Sequence, residues 1–349
     1  MFITVPFDGE PTFDGMTERN PYWDIVRGSA ILLVILGHSL FIAKGLDDPV
    51  HVFIYSFHMP LFMIVSGYFF HHSLHHSTKY IIWKRFFQLA VPVLLVGTID
   101  WFSSYLEWSL PLKENLINWF ARIIRTLWFL QALFIGSMIV LVGDRLLHKK
   151  AWLFYVALLI IFLLTPDKLQ QSGTKAMFPF FVAGFYLHHL SPAHLTFIRK
   201  NEIKLLCLFL LLFAGLLIPF RFPMTHYESG VYIFNPDFTP GSLLFYNTYR
   251  ILIGCAGSAT ILLLIHTIRA RLKNPTASKL AVIGHYTLWL YITSYYLWIG
   301  YIIWFKEVTP QTYWAAMLIF FGLFLLSFPL SVLFDKLWTA LDKKLIPQE

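Results

Sequence analysis

The chain has 349 residues, of which 57% are hydrophobic, 18% aromatic and only 13% charged. Soluble domains carry about 25% charged residues, so this composition excludes a water-facing surface for a chain of this length and predicts an all-α, polytopic integral membrane protein. The net charge of +8 comes without any basic–aromatic motif for nucleic acid, and basic residues flanking membrane spans account for it.

The first 23 residues hold Asp8, Glu10, Asp14 and Glu18 and lack the basic start and small-residue cleavage site of a signal peptide. They read as a polar tail. About 20 apolar residues cross a bilayer, and ten runs approach that length: 24–43, 50–70, 81–101, 125–142, 152–165, 176–190, 203–220, 243–266, 281–304 and 312–334. This predicts a transmembrane domain over 24–334 between two cytoplasmic tails, 1–23 and 335–349.

The first run contains "RGSAILLVILGH", Arg27 to His38. Eleven helical steps of about 100° return to within roughly 20° of the start, after a rise of about 16 Å. Arg27 and His38 therefore share one helix face, and Asp24 lies three residues before Arg27, where it can pair with it. Ionisable groups within spans are costly and face a bundle interior or a wet cavity. Two readings stand for each residue. Arg27 either snorkels to the interface or binds something there. His38 is either a neutral imidazole bonded to a neighbouring helix or a chemical group.

The second run contains Pro60, which bends the helix, and Ser66–Gly67, which permit close helix approach. It ends in "HHSLHH", residues 71–76, whose spacing of four suits zinc on a helix but lacks accompanying carboxylate or cysteine. A loop or interface role is the simpler reading, and no metal is expected. Cys207 and Cys255 lie in apolar runs and suggest no disulfide framework. Two connections, 102–124 and 221–242, are long. Alternate connections and tails hold 17 of the 27 Lys and Arg residues, from Arg19 through Lys79, Lys84 and Arg85 to Lys343 and Lys344, and the opposite side holds 8. The positive-inside rule then puts both termini in the cytoplasm.

Several stretches resemble the membrane acyltransferase-3 family. The Arg-x10-His spacing of the first run is followed by "FHMPLFMIVSGYFF", Phe57 to Phe70, which is similar to that family's second-span motif. "LWFL" at 127–130, "PFFVAGFYL" at 179–187 and "KYIIWKRFFQLAVP" ending at Pro92 fit in place. "GHYTLWLYITS", 284–294, resembles a motif Gly-x-x-Ser-x-x-x-Tyr-Leu-x-His, with Thr287 for serine, Ile292 for leucine and Ser294 for histidine. Gln88 stands where the family often has a second arginine after Arg85. The resemblance covers most of the chain and matches the stand-alone membrane form, similar to acetylases of surface sugars.

The resemblance implies acyl transfer, with acetyl-CoA as donor and no resident cofactor, to a hydroxyl of a cell-surface or lipid-linked glycan at the bacterial inner membrane. His38 would serve as general base, or as a transient acyl carrier. Arg27 would grip the donor or its phosphates, with Lys84 and Arg85 adding to the same patch. Arg122, Arg125, Trp128 and Arg250 fall on the outer side, where acceptor contact and interfacial anchoring are the two readings. A multi-span transporter of a small or lipid-linked substrate is the alternative function.

Overall fold

The computed structural model describes residues 21–103, 111–164, 172–220, 240–271 and 275–345. The expected tail through residue 20 and most of the connection 221–242 lie outside these residues. The described residues form helices α1 (Pro21–Lys44), α2 (Pro49–Tyr55), α3 (His58–Ser73), α4 (Thr78–Arg85), α5 (Val91–Ser103), α6 (Leu112–Arg125), α7 (Trp128–Leu147) and α8 (Ala151–Leu164). Then come α9 (Ser172–Leu187), α10 (Pro192–Lys200), α11 (Glu202–Leu217), α12 (Pro240–Arg271), α13 (Pro275–His285), α14 (Thr287–Phe305) and α15 (Tyr313–Leu345), with no strand among the described residues.

Each of the ten apolar runs is mostly helical over its described residues, but seven helical stretches among the described residues are long and apolar enough to cross a membrane. Helices α8, α9 and α11 have 14, 16 and 16 residues, about 21–24 Å at 1.5 Å per residue. One of the seven stretches, 128–164, is a hairpin. His148 breaks it at φ 47°, and the Tyr155 hydroxyl on α8 donates to the Val140 carbonyl on α7 at 2.9 Å. Helix α15 continues past residue 334, the expected end of the membrane domain, to Leu345.

Two compact units emerge. The first comprises residues 1–65, 186–226 and 250–340. Its core joins the second half of α1 to α2 and the first half of α15 through Ile35, Leu40, Ile42, Ile54, Ala316, Ile319 and Leu323. Helices α11 and α12 enter through Phe213 and Gly257, which pack on Phe57. Helix α14 is tied to α15 by the Thr293 hydroxyl, 3.3 Å from the Ser327 carbonyl.

The second unit comprises residues 66–185, 227–249 and 341–349. Between α4 and α5 the helix loosens into a π segment, Phe86–Ala90, in which the Val91 N–H reaches back to the Phe86 carbonyl. Pro92 explains the loosening, because its ring would crowd the Gln88 carbonyl and it has no N–H to offer. The turn from α6 to α7 puts Leu127 in the left-handed region at φ 50°. Gln131 holds that turn, its side-chain amide donating to the carbonyls of Ile123, Ile124 and Thr126 at 2.9, 3.0 and 2.9 Å. Arg145 donates to the carbonyls of Leu74 and His76 at 2.8 and 2.7 Å, fixing the histidine-rich turn through its backbone.

Candidate active site around His38

Helix α1 positions the site. It begins at Pro21, whose fixed φ suits a first helical turn. Asp24, 6% exposed, accepts from Arg27 at 3.3 Å, so the expected pair forms. Here α1 crosses α13 almost backbone to backbone. A Cβ on Gly284 would lie 2.7 Å from the Asp24 carbonyl carbon, and one on Gly28 would lie 3.0 Å from that of Leu280. No larger residue fits such a crossing. The other end of α1 stops at Gly45, φ 87°, whose N–H returns to the carbonyls of Leu40 and Phe41 at 3.2 Å each.

Near that end, the His38 imidazole stacks on the Trp298 indole of α14, with centroids 4.6 Å apart and planes 22° from parallel. His38 Nδ1 is buried and has no hydrogen-bond partner among the described residues, and the same is true of Trp298 Nε1. Phe41 and Tyr295 each flank the indole at 5.8 Å. Two further histidines, His51 and His58, lie within electrostatic reach of His38. Tyr55 joins them, stacked on His51 at 4.0 Å and tilted against His58 at 4.7 Å. The Nδ1 atoms of His51 and His58 donate to the carbonyls of Leu46 and Ile54 at 3.2 and 2.7 Å. Those bonds put the ring protons on Nδ1.

Asp48 closes this end of the unit. Its carboxylate caps α2, accepting from the backbone of Val50 and His51 at 3.0 and 3.1 Å, and it accepts from the Tyr313 hydroxyl at 2.6 Å. Lys44 stands over the Tyr313 ring at 4.7 Å, and Lys306 over the Phe41 ring at 5.4 Å. The result is a partly buried imidazole beside aromatic faces, with one unpartnered nitrogen and one unpartnered indole donor. This arrangement can accept a proton from a hydroxyl and donate a hydrogen bond to an oxygen.

The remaining expected site residues are placed as follows. Lys84 donates to the Tyr80 hydroxyl at 3.2 Å, and Arg85 donates to Ser73 Oγ at 3.0 Å while lying 5.1 Å from the Phe70 ring. Arg122 is paired with Asp100 at 3.1 Å. Trp128 packs on Gly173, where a Cβ would collide with its ring. Arg250 is half-buried on α12, and the Arg125 side chain lies outside the described part. Lys84, Arg85, Arg122 and Trp128 belong to the second unit, whereas Arg27 and His38 belong to the first. Sequence reasoning missed His51, His58 and Trp298. Two histidines in an otherwise apolar run were a usable signal, since ionisable groups within spans face a bundle interior or wet cavity. Trp298 carried none.

The motif positions acquire physical reasons. A Cβ on Gly67 would lie 2.9 Å from the Phe181 carbonyl carbon, so the second-span glycine lets α3 touch α9 within the second unit. Gly284 is the α13 half of the crossing beside Arg27. Thr287 keeps the hydroxyl of the usual serine, donating to the Gly284 carbonyl at 2.7 Å where α13 gives way to α14. No solved structure matches the chain. It is similar to the Nodulation protein NolL of Mesorhizobium japonicum, 30% identical over 181 residues, which are 49% of this chain and 48% of the relative. Its similarity to the Nodulation protein NolL of Sinorhizobium fredii is 29% over 182 residues, 49% of each. The chain thus spans about half the length of the curated relatives it matches. The acyltransferase-3 family model, described as an acyltransferase domain, matches residues 20–336 and so takes in the Arg27–His38 helix, the glycine crossings and the Gly284–Thr287 junction: the chain belongs to that family.

Proposed function

We propose that this protein is an O-acyltransferase that moves an acetyl group from cytoplasmic acetyl-CoA to a hydroxyl of a cell-surface or lipid-linked glycan. Family membership supports acyl transfer, and the observation that carries the site is the buried, unpartnered Nδ1 of His38. A sugar hydroxyl is a poor nucleophile until a base takes its proton, and a neutral imidazole is suited to that task near pH 7. In this reading the chain crosses a bacterial inner membrane ten times with both termini in the cytoplasm, as the distribution of basic residues favours. Arg27 then lies toward the cytoplasmic end of α1. Its guanidinium, oriented by Asp24, grips phosphate oxygens of the donor.

The reaction is a single displacement. The sugar oxygen attacks the thioester carbonyl as its proton passes to His38, and the C–S bond breaks as the thiol leaves. The test uses membranes with and without the protein, supplied with radiolabelled acetyl-CoA. Label fixed covalently on surface polysaccharide, and lost in a membrane-inserted His38→Ala protein, is the expected result. Uptake of a substrate without covalent label would instead identify a transporter.

A further inference from the structure

Acyl transfer needs more than a base. As the C–O bond forms, the carbonyl π pair moves onto oxygen, and a preorganised donor at that oxygen supplies a large share of the rate. Around His38 most donors are engaged. The ring N–H groups of His51 and His58 are held by backbone carbonyls. The Tyr301 hydroxyl is bonded to Thr309 at 3.0 Å, and the Tyr313 hydroxyl to Asp48. The Trp298 N–H is the exception. It is a donor with no acceptor function of its own, it is buried, and no acceptor meets it among the described residues. A buried N–H of this kind is destabilising unless something satisfies it.

The chemistry of the reaction supplies one acceptor for it. The attacking oxygen must sit about 3 Å from the base nitrogen. The carbonyl oxygen of the tetrahedral intermediate is then two bonds further on, within a few ångströms of the imidazole. The indole is stacked on His38 at 4.6 Å with planes 22° from parallel, so its N–H points within a layer next to the one that holds the imidazole lone pair. We propose that the Trp298 indole N–H is the hydrogen-bond donor to the thioester oxygen as it becomes an oxyanion, and that the same ring fixes the plane of His38. The inference rests on the acyl-transfer reading. In the balanced step the hydroxyl proton goes to His38, the new ester forms, the oxyanion collapses, and the proton leaves on the thiol sulfur. Trp298 gives up no proton.

The test places 3-benzothienylalanine at 298, which keeps the bicyclic shape and replaces N–H by sulfur, alongside Trp298→Phe. The full-length protein in membranes transfers label from acetyl-CoA to the cells' own surface polysaccharide. The expected result is a fall in kcat of about 10- to 100-fold for both variants, somewhat less than for loss of a donor in an established oxyanion hole. The KM for acetyl-CoA stays within about twofold, the pattern of an interaction made only in the transition state. Wild-type kcat in the benzothienyl protein overturns the proposal whatever Trp298→Phe does, because stacking alone would then suffice. A rise in KM that accounts for the whole loss overturns it as well. If the wild-type protein itself leaves no label on glycan, the acyl-transfer reading fails and this inference falls with it. Normal transfer by both wild type and analogue removes only the role of Trp298.

Discussion

Replacing Gly284 with alanine tests the crossing that positions the Arg27 end of the site. The added methyl would lie 2.7 Å from the Asp24 carbonyl carbon and 3.0 Å from its Cα. Carbon atoms pack best at about 3.5–4.0 Å, and the Asp24 carbonyl oxygen lies closer still to the added methyl, so α1 and α13 must separate by at least about 1 Å. All three clashing atoms are backbone and cannot swing aside. Overpacking of this kind costs about 1–3 kcal/mol, readable as a lower Tm in detergent by tryptophan fluorescence. The displaced segment carries Arg27, three residues from the clash and bonded to Asp24. A misplacement of about 1 Å can cost about 10²-fold in activity, and here we expect it mainly as a higher KM for acetyl-CoA. Gly28→Ala loads the same crossing from the other side, so the two substitutions together should cost less than their sum. A Gly284→Ala protein with wild-type Tm and wild-type KM would refute the argument that this contact sets the site.

Four further outcomes are expected. Arg27→Lys keeps the charge but loses the fork and should raise the KM for acetyl-CoA; unchanged donor binding would return Arg27 to a snorkelling role. Gln131→Leu leaves the last carbonyls of α6 without their donor and should cost about 1–3 kcal/mol, checked by thermal unfolding. Asp48→Ala removes the cap of α2 and should cost about 1–2 kcal/mol, with transfer falling as His51 and Tyr313 lose their anchor. Arg122→Gln breaks a pair whose side chains are 30% and 26% exposed, so solvent screening limits the loss to about 1 kcal/mol or less, and acetyl transfer should stay near wild type.

The elements were legible from composition because runs of apolar residues in a lipid-spanning chain have one stable form, the helix. The pairing of Asp24 with Arg27 was legible for the same reason, since residues three apart on a helix are neighbours. Gly67 was legible as a point of close helix approach, and it meets the Phe181 backbone. The crossing of Gly28 and Gly284 was not, because only the partner backbone reveals why a side chain is excluded there. The substitution of Thr287 for serine looked like a departure from the family pattern, yet the hydroxyl that matters is retained. His38 was visible as a polar residue in an apolar run. Trp298 lies 260 residues away on another helix, and no local pattern marks an aromatic residue in an aromatic-rich span as different from its neighbours.

The π segment at Phe86–Ala90 sets a rule for counting along its helix. One residue more than an α-helix requires is stored there, and each residue turns a helix by about 100°. A helical wheel drawn straight from Thr78 to Ser103 therefore misassigns the faces beyond the bulge by that angle. Deletion tolerance differs accordingly. Loss of one residue within 86–90 draws on the stored excess and regularises the coil. Loss of one residue between Arg27 and His38 has no such slack and would swing the imidazole about a quarter-turn out of register with the guanidinium.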